Sequence, residues 1–98
     1  MNDINNVHIS ARVINGEVKK FDNHSLLILR VVFPNANKKT SDGFVDVKAW
    51  DELATANLSV KKGDKFEIWG ELNHREWEKD GKKNSRIEIK ANKLVKLT

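Results

Sequence analysis

The sequence predicts an all-β domain, a five-stranded Greek-key barrel with one short helix between strands 3 and 4. Three observations predict it. Short runs rich in β-branched and aromatic residues recur along the chain, most of them alternating apolar and polar. Turn-forming pairs punctuate them at Asn15-Gly16, Asp42-Gly43, Lys62-Gly63-Asp64 and Asp80-Gly81. Only one segment has the composition of a helix. The chain of 98 residues has room for one core, so residues 1–98 are expected to form a single domain.

The first strand is expected over 7–14, with Val7, Ile9, Ala11 and Val13 on one face and His8, Ser10 and Arg12 on the other. The second, over 26–33, reads LLILRVVF, nearly all apolar, as suits a strand covered on both faces or lying at an interface. The third, over 44–50, and the fourth, over 65–72, alternate. The fifth, over 86–95, alternates at first and then becomes irregular. The helix is expected over 51–58, where Asp51 and Glu52 favour its N-terminus. It is short enough to need the sheet for support. Residues 34–42 read as a long mobile loop. Strand–strand–strand–helix–strand–strand in so short a chain is the layout of an OB-fold; a five-stranded sheet of another topology is the alternative.

Composition narrows the function. The absence of cysteine removes disulfides, thiolate zinc sites and cysteine nucleophiles together. No apolar run approaches the ~20 residues of a membrane span. The N-terminus lacks the basic and apolar regions of a signal peptide, so no membrane is expected and a cytoplasmic location is. Formal charge is 18 − 14 = +4, compatible with a polyanionic partner. His8, His24 and His74 are widely spaced and read as solvated surface groups, which argues against an enzyme. The Glu76, Glu78, Asp80, Gly81 spacing resembles half of an EF-hand loop, but the twelfth position is Ile87 and no helix pair flanks it. No metal or other cofactor is expected.

The aromatics are more informative. On the third strand Val45, Val47 and Ala49 form the apolar face, which leaves Phe44, Asp46, Lys48 and Trp50 on the polar one. On the fourth strand Phe66, Ile68, Gly70 and Leu72 point inward and Trp69 outward. Trp77 sits in a charged hairpin beside Arg75. Outward aromatics interleaved with cations are what sequence-independent single-strand binding requires, because bases stack on rings while cations follow the backbone. The alternatives are structural: Phe44 capping the barrel end, Trp50 tucked under the helix, Trp77 folded onto its own hairpin. Trp69, between Glu67 and Glu71, suits a subunit interface better than a phosphate path.

The ordered set Gly43-Phe44-Val45-Asp46-Val47-Lys48-Ala49-Trp50-Asp51-Glu52-Leu53-Ala54, then Val60-Lys61-Lys62-Gly63-Asp64, then Gly70-Glu71-Leu72 with Arg75 and Trp77, resembles the bacterial and phage single-stranded DNA-binding protein (SSB) family. The Asn6-Val7-His8-Ile9 start is also similar, so the resemblance spans residues 4–95. It implies an OB-fold subunit, usually a homotetramer, that coats single-stranded DNA in replication, recombination and repair. By position it puts stacking aromatics at Phe44, Trp50 and Trp77 and groove cations at Lys61, Lys62 and Arg75. To these the residue pattern adds Lys48, Lys82 and Lys83 as DNA-binding candidates, and Trp69, His8 and Ser10 as candidates for an oligomer interface.

This sequence also departs from the family. Positions often basic there are Asp46, Glu52, Asn73 and Glu76 here, and Ala11 replaces a usual glycine. The family's aromatic just after the second strand is missing, with only Phe33 nearby. The chain ends Lys96-Leu97-Thr98 where the family carries a disordered tail with an acidic tip, as expected of a trimmed domain or of a minimal variant from a phage or mobile element. The expected partners are single-stranded DNA, with RNA left open, and further copies of the chain in a homotetramer or dimer. Replication proteins as partners are left open by the missing tail. Two other readings stay open: a primosomal replication-restart adaptor of the same fold, and an OB-fold module used for protein contact alone.

Overall fold

The computed structural model describes residues 3–37 and 41–98. Five strands, β1 (Val7–Lys20), β2 (Ser25–Phe33), β3 (Gly43–Trp50), β4 (Lys65–Lys79) and β5 (Lys82–Lys96), are joined by one helical turn, α1 (Glu52–Thr55), between β3 and β4. They close into a ring in the order β1-β2-β3-β5-β4, the expected OB-fold arrangement, with β3 and β5 parallel and the other pairs antiparallel. Among the described residues no helix is long and apolar enough to cross a membrane.

Period-two alternation places the core as expected. Val13, Leu27, Leu29, Val31, Val47, Phe66 and Ile68 are fully buried inside the ring. Burial of one such side chain stabilises by roughly 1.5–3 kcal/mol. The expected outward row on β1 (His8, Ser10, Arg12) is exposed.

Four sequence expectations are corrected. Asn15-Gly16 is not a turn: β1 runs through it, and the register with β2 slips between Val13 and Asn15. A bulge there bends β1, so that residues 7–12 pair with β4 while residues 12–20 pair with β2. The true reversal is at Asp22 and Asn23, where Phe21 and His24 exchange backbone hydrogen bonds of 2.8 and 3.3 Å. The helix is four residues, not eight. Asp51 takes φ 54° and does not cap it; its carboxylate instead accepts from the Ser25 N–H at 3.2 Å. Downstream, Asn57 Nδ2 donates to the Leu53 carbonyl at 2.8 Å, a local bond that competes with helix extension. Ala54 is still fully buried and Leu53 packs on the core, so one turn covers that end of the ring. β4 and β5 run on beyond the expected 65–72 and 86–95, through the charged stretch to the Asp80-Gly81 turn, as a two-stranded arm. Asp80 (φ 53°) and Gly81 (φ 75°) supply the positive φ values of a tight two-residue loop. Of the glycines placed in turns by sequence, only Gly63 and Gly81 need such angles. The loop expected over 34–42 lies partly outside the described residues.

The irregular end of β5 has a local cause. Trp69 pairs with Lys93 but Gly70 with Ala91, so Asn92 is an extra residue. It shifts the alternation by one, and Leu94 again faces the core opposite Ile68. Gly70 is required at this point, since a Cβ there would lie 2.2 Å from the Lys90 carbonyl oxygen.

Candidate nucleic-acid interface

The outer face of β3, β5 and β4 is built by register. Phe44, Asp46, Lys48 and Trp50 alternate outward on β3; Lys48 lies level with Lys90 on β5, and Lys90 with Glu71 on β4. Below them Glu88 pairs with Asn73, Arg86 with Arg75, and Asn84 with Trp77. Three strands thus place Lys48, Trp50, Asn73, Arg75, Glu88 and Lys90 around one shallow depression. Of the expected DNA-binding residues, Lys48, Trp50 and Arg75 are brought together here, and Trp77 follows along the arm.

The aromatics stand clear of the core. Trp50 is 39% exposed and is not tucked under α1; it stacks on Phe21 with ring centroids 6.2 Å apart. Phe21, from the β1–β2 hairpin, is a member that the sequence reading missed. The Asp22-Asn23 reversal was the signal for it, since a turn there carries Phe21 toward the end of β3. The hairpin is fixed by Asp51, whose N–H donates to the Ser25 carbonyl at 2.8 Å and whose carboxylate lies 3.2 Å from His24 Nδ1. Trp77 is half-buried because the Arg75 guanidinium lies over its ring, 4.4 Å from the centroid. Arg30 lies 5.6 Å from the Phe44 ring in the same manner.

Phe44 has a second neighbourhood. With Val7, Ile9, Phe33, Val45, Leu72, Ile87 and Ile89 it lines an apolar cup of about 330 Å³ at the end of the ring opposite α1. Leu72, expected inside, is 50% exposed there, because β4 has passed the end of the closed ring. Phe33 is half-buried at the same rim.

The remaining cations are elsewhere. Lys61 and Lys62 precede β4 and line a separate groove with Val13, Asn15, Val18, Leu58 and Val60. Among the described residues no ion pair or ring contact joins them to Trp50 or Trp77. Lys82 and Lys83 sit at the tip of the arm, opposite Lys79 and Glu78.

Trp69 lies further up the same outward row of β4. The His8 imidazole stacks on its ring at 4.7 Å with 13° between the planes, and Lys93 Nζ is 5.0 Å from the centroid. His8 Nε2 is 2.6 Å from Glu67 Oε2. Ser10, opposite Glu67, is exposed beside them. Residues 7–11 of β1 pair with β4 but not with β2, so one edge of that segment has no partner strand within the described chain.

Solved structures share this architecture. The chain is 20% identical to a deletion mutant of the single-stranded DNA binding protein from Thermus aquaticus, with a TM-score of 0.76, covering 97% of this chain and 51% of that one. It therefore spans about half the length of that relative. It is 22% identical to the second single-stranded DNA binding protein (SSBb) from Mycobacterium smegmatis, again with a TM-score of 0.76, covering 94% of this chain and 87% of that one. No curated protein sequence matches the chain. The model of the single-strand binding protein family, whose members are non-catalytic DNA-binding proteins, matches residues 4–97, nearly the whole fold from the segment before β1 to the end of β5. The chain belongs to the single-strand binding protein family.

Proposed function

We propose that this chain binds single-stranded DNA with little sequence preference, across the outer face of β3, β5 and the β4–β5 arm. One observation carries the reading: Trp50 and Trp77 flank a single cationic surface formed by Lys48, Lys90 and Arg75. A base stacked on such a ring contributes ~1–3 kcal/mol and any base can do it, while the cations follow the backbone. Phe44 and Phe21 extend the aromatic row at either end of β3. Lys82 and Lys83 continue it past Trp77, and Lys61 and Lys62 belong to a second, lateral path. Coating of single strands during replication, recombination and repair is the corresponding cellular role, and binding rather than catalysis is the activity.

We further propose that the domain self-associates, as a tetramer built from two dimers. The unpaired edge of residues 7–11 and the apolar cup beside it support a contact between copies, since open strand edges and apolar patches are otherwise liabilities. Trp69, His8 and Ser10 lie on the adjoining face.

Titration with oligo-dT tests the first proposal. Trp fluorescence should be quenched and the affinity should fall with salt. Absence of both would leave a protein-contact module as the reading. Sedimentation equilibrium tests the second, and a monomer at tens of micromolar overturns it.

A further inference from the structure

Four cations of this face, Arg30, Lys48, Arg75 and Arg86, are already paired. Asp46, on β3, accepts from Arg30 of β2 at 3.1 Å and from Arg86 of β5 at 3.2 Å. Glu88, on β5, lies 3.2 Å from Lys48 Nζ and 3.6 Å from Arg75 Nε, and accepts from Asn73 Nδ2 at 3.1 Å. Glu88 is only 3% exposed, and its Oε2 has no hydrogen-bond partner. A carboxylate so placed is costly unless cations oppose it. It is nevertheless set beneath the very side chains a phosphate would meet. The two carboxylates hold four cations between them, so the group carries 4 − 2 = +2 rather than the full positive charge.

We propose that Glu88 and Asp46 are built-in counter-anions of the nucleic-acid face, holding its cations in place and setting its affinity and salt response below what those cations alone would give. The inference rests on the single-strand reading above. A phosphate reaching Lys48 or Arg75 meets a cation whose field is partly cancelled by a carboxylate behind it, and Glu88 itself is too shielded for water to screen it fully. Fewer phosphates are then effectively neutralised and fewer counterions released. Arg75 is held by Glu88 on one side and lies over Trp77 on the other, so the same carboxylate fixes the guanidinium that covers the indole.

The experiment compares oligo-dT binding by the intact chain and by Glu88→Gln, Asp46→Asn and Asp3→Asn across a salt series, with thermal melts to establish folding. Glu88→Gln keeps the size of the side chain and an acceptor for Asn73 but removes the charge. It should bind about tenfold more tightly at low salt. Its slope of log K against log salt should steepen by up to about 0.7 for each phosphate newly engaged. Asp46→Asn should move in the same direction. Asp3→Asn, the same loss of charge on an exposed residue ahead of β1, should do neither. A folded Glu88→Gln that binds no better, with an unchanged slope, overturns the proposal and leaves Glu88 as a scaffold for Lys48 and Arg75. If Glu88→Gln does not fold, Asp46→Asn carries the same test with the same two outcomes. Failure of the unaltered chain to bind oligo-dT is a different result, which overturns the functional reading itself before any variant is compared.

Discussion

Trp69 and Trp77 stand eight residues apart on the same outward row of β4, each with a cation over its ring, yet their surroundings differ. Trp69 lies in the wall of the ring, flanked by β1 on one side and β5 on the other, so His8 covers its face and Lys93 approaches it. Trp77 lies on the arm, past the last β1 pairing at Gly70, and among the described residues its one strand neighbour is Asn84 of β5. Both indoles are half-buried, but strands bound the wall position on both sides and the arm position on one side only. The width of the sheet at each point therefore distinguishes the two proposed roles better than the flanking charges do.

The largest effect is expected where wall gives way to arm. Gly70→Val would drive a side chain into the Lys90 carbonyl, and overpacking of this kind costs typically 1–3 kcal/mol, occasionally more. A thermal melt should show the loss, and a melt unchanged from the parent would mean that the β4–β5 crossing can open without cost. Next comes the comparison itself. Trp77→Ala should weaken oligo-dT binding by ~1–3 kcal/mol, while Trp69→Ala should leave that affinity nearly unchanged and shift the assembly state in sedimentation. The reverse pattern would exchange the two assignments.

Phe21→Ala is expected to be milder. It removes a ring stacked on Trp50, and such a pair contributes about 0.5–1.5 kcal/mol; binding should weaken by no more than that, with the melt little affected. Equal affinity in Phe21→Ala and the parent would confine the ligand path to the arm. The smallest effect is on salt response. Arg75→Ala should flatten the slope of log K against log salt by at most about 0.7, since Glu88 already claims part of its charge. Lys62→Ala sharpens the path: a change as large as that of Arg75→Ala would show that the strand also runs through the groove between β1 and the turn before β4.

The sequence by itself determined the strands that form the core and the faces they turn inward. Alternation in 7–14, 44–50 and 65–72 placed Val13, Val47, Phe66 and Ile68 inside and Lys48 and Trp50 outside, because a strand turns successive side chains to opposite faces whatever surrounds it. The ordered motifs from Gly43 to Trp77 were enough to point to the family. Only the tertiary structure decided the rest. The bulges at Ile14 and Asn92 and the lengths of β4 and β5 follow from which strands must meet to close the ring, a long-range demand that local pattern does not encode. The same holds for the site. Phe21 joins Trp50 because Asp51 ties two hairpin ends together across the sheet, and Glu88, one of 14 acidic residues in the sequence, becomes the buried centre of the cationic face because β5 lies between β3 and β4. Charge is read along the chain, but its partners are set across strands, and the cost of burying a carboxylate is met only where the closed sheet brings Lys48 and Arg75 to it.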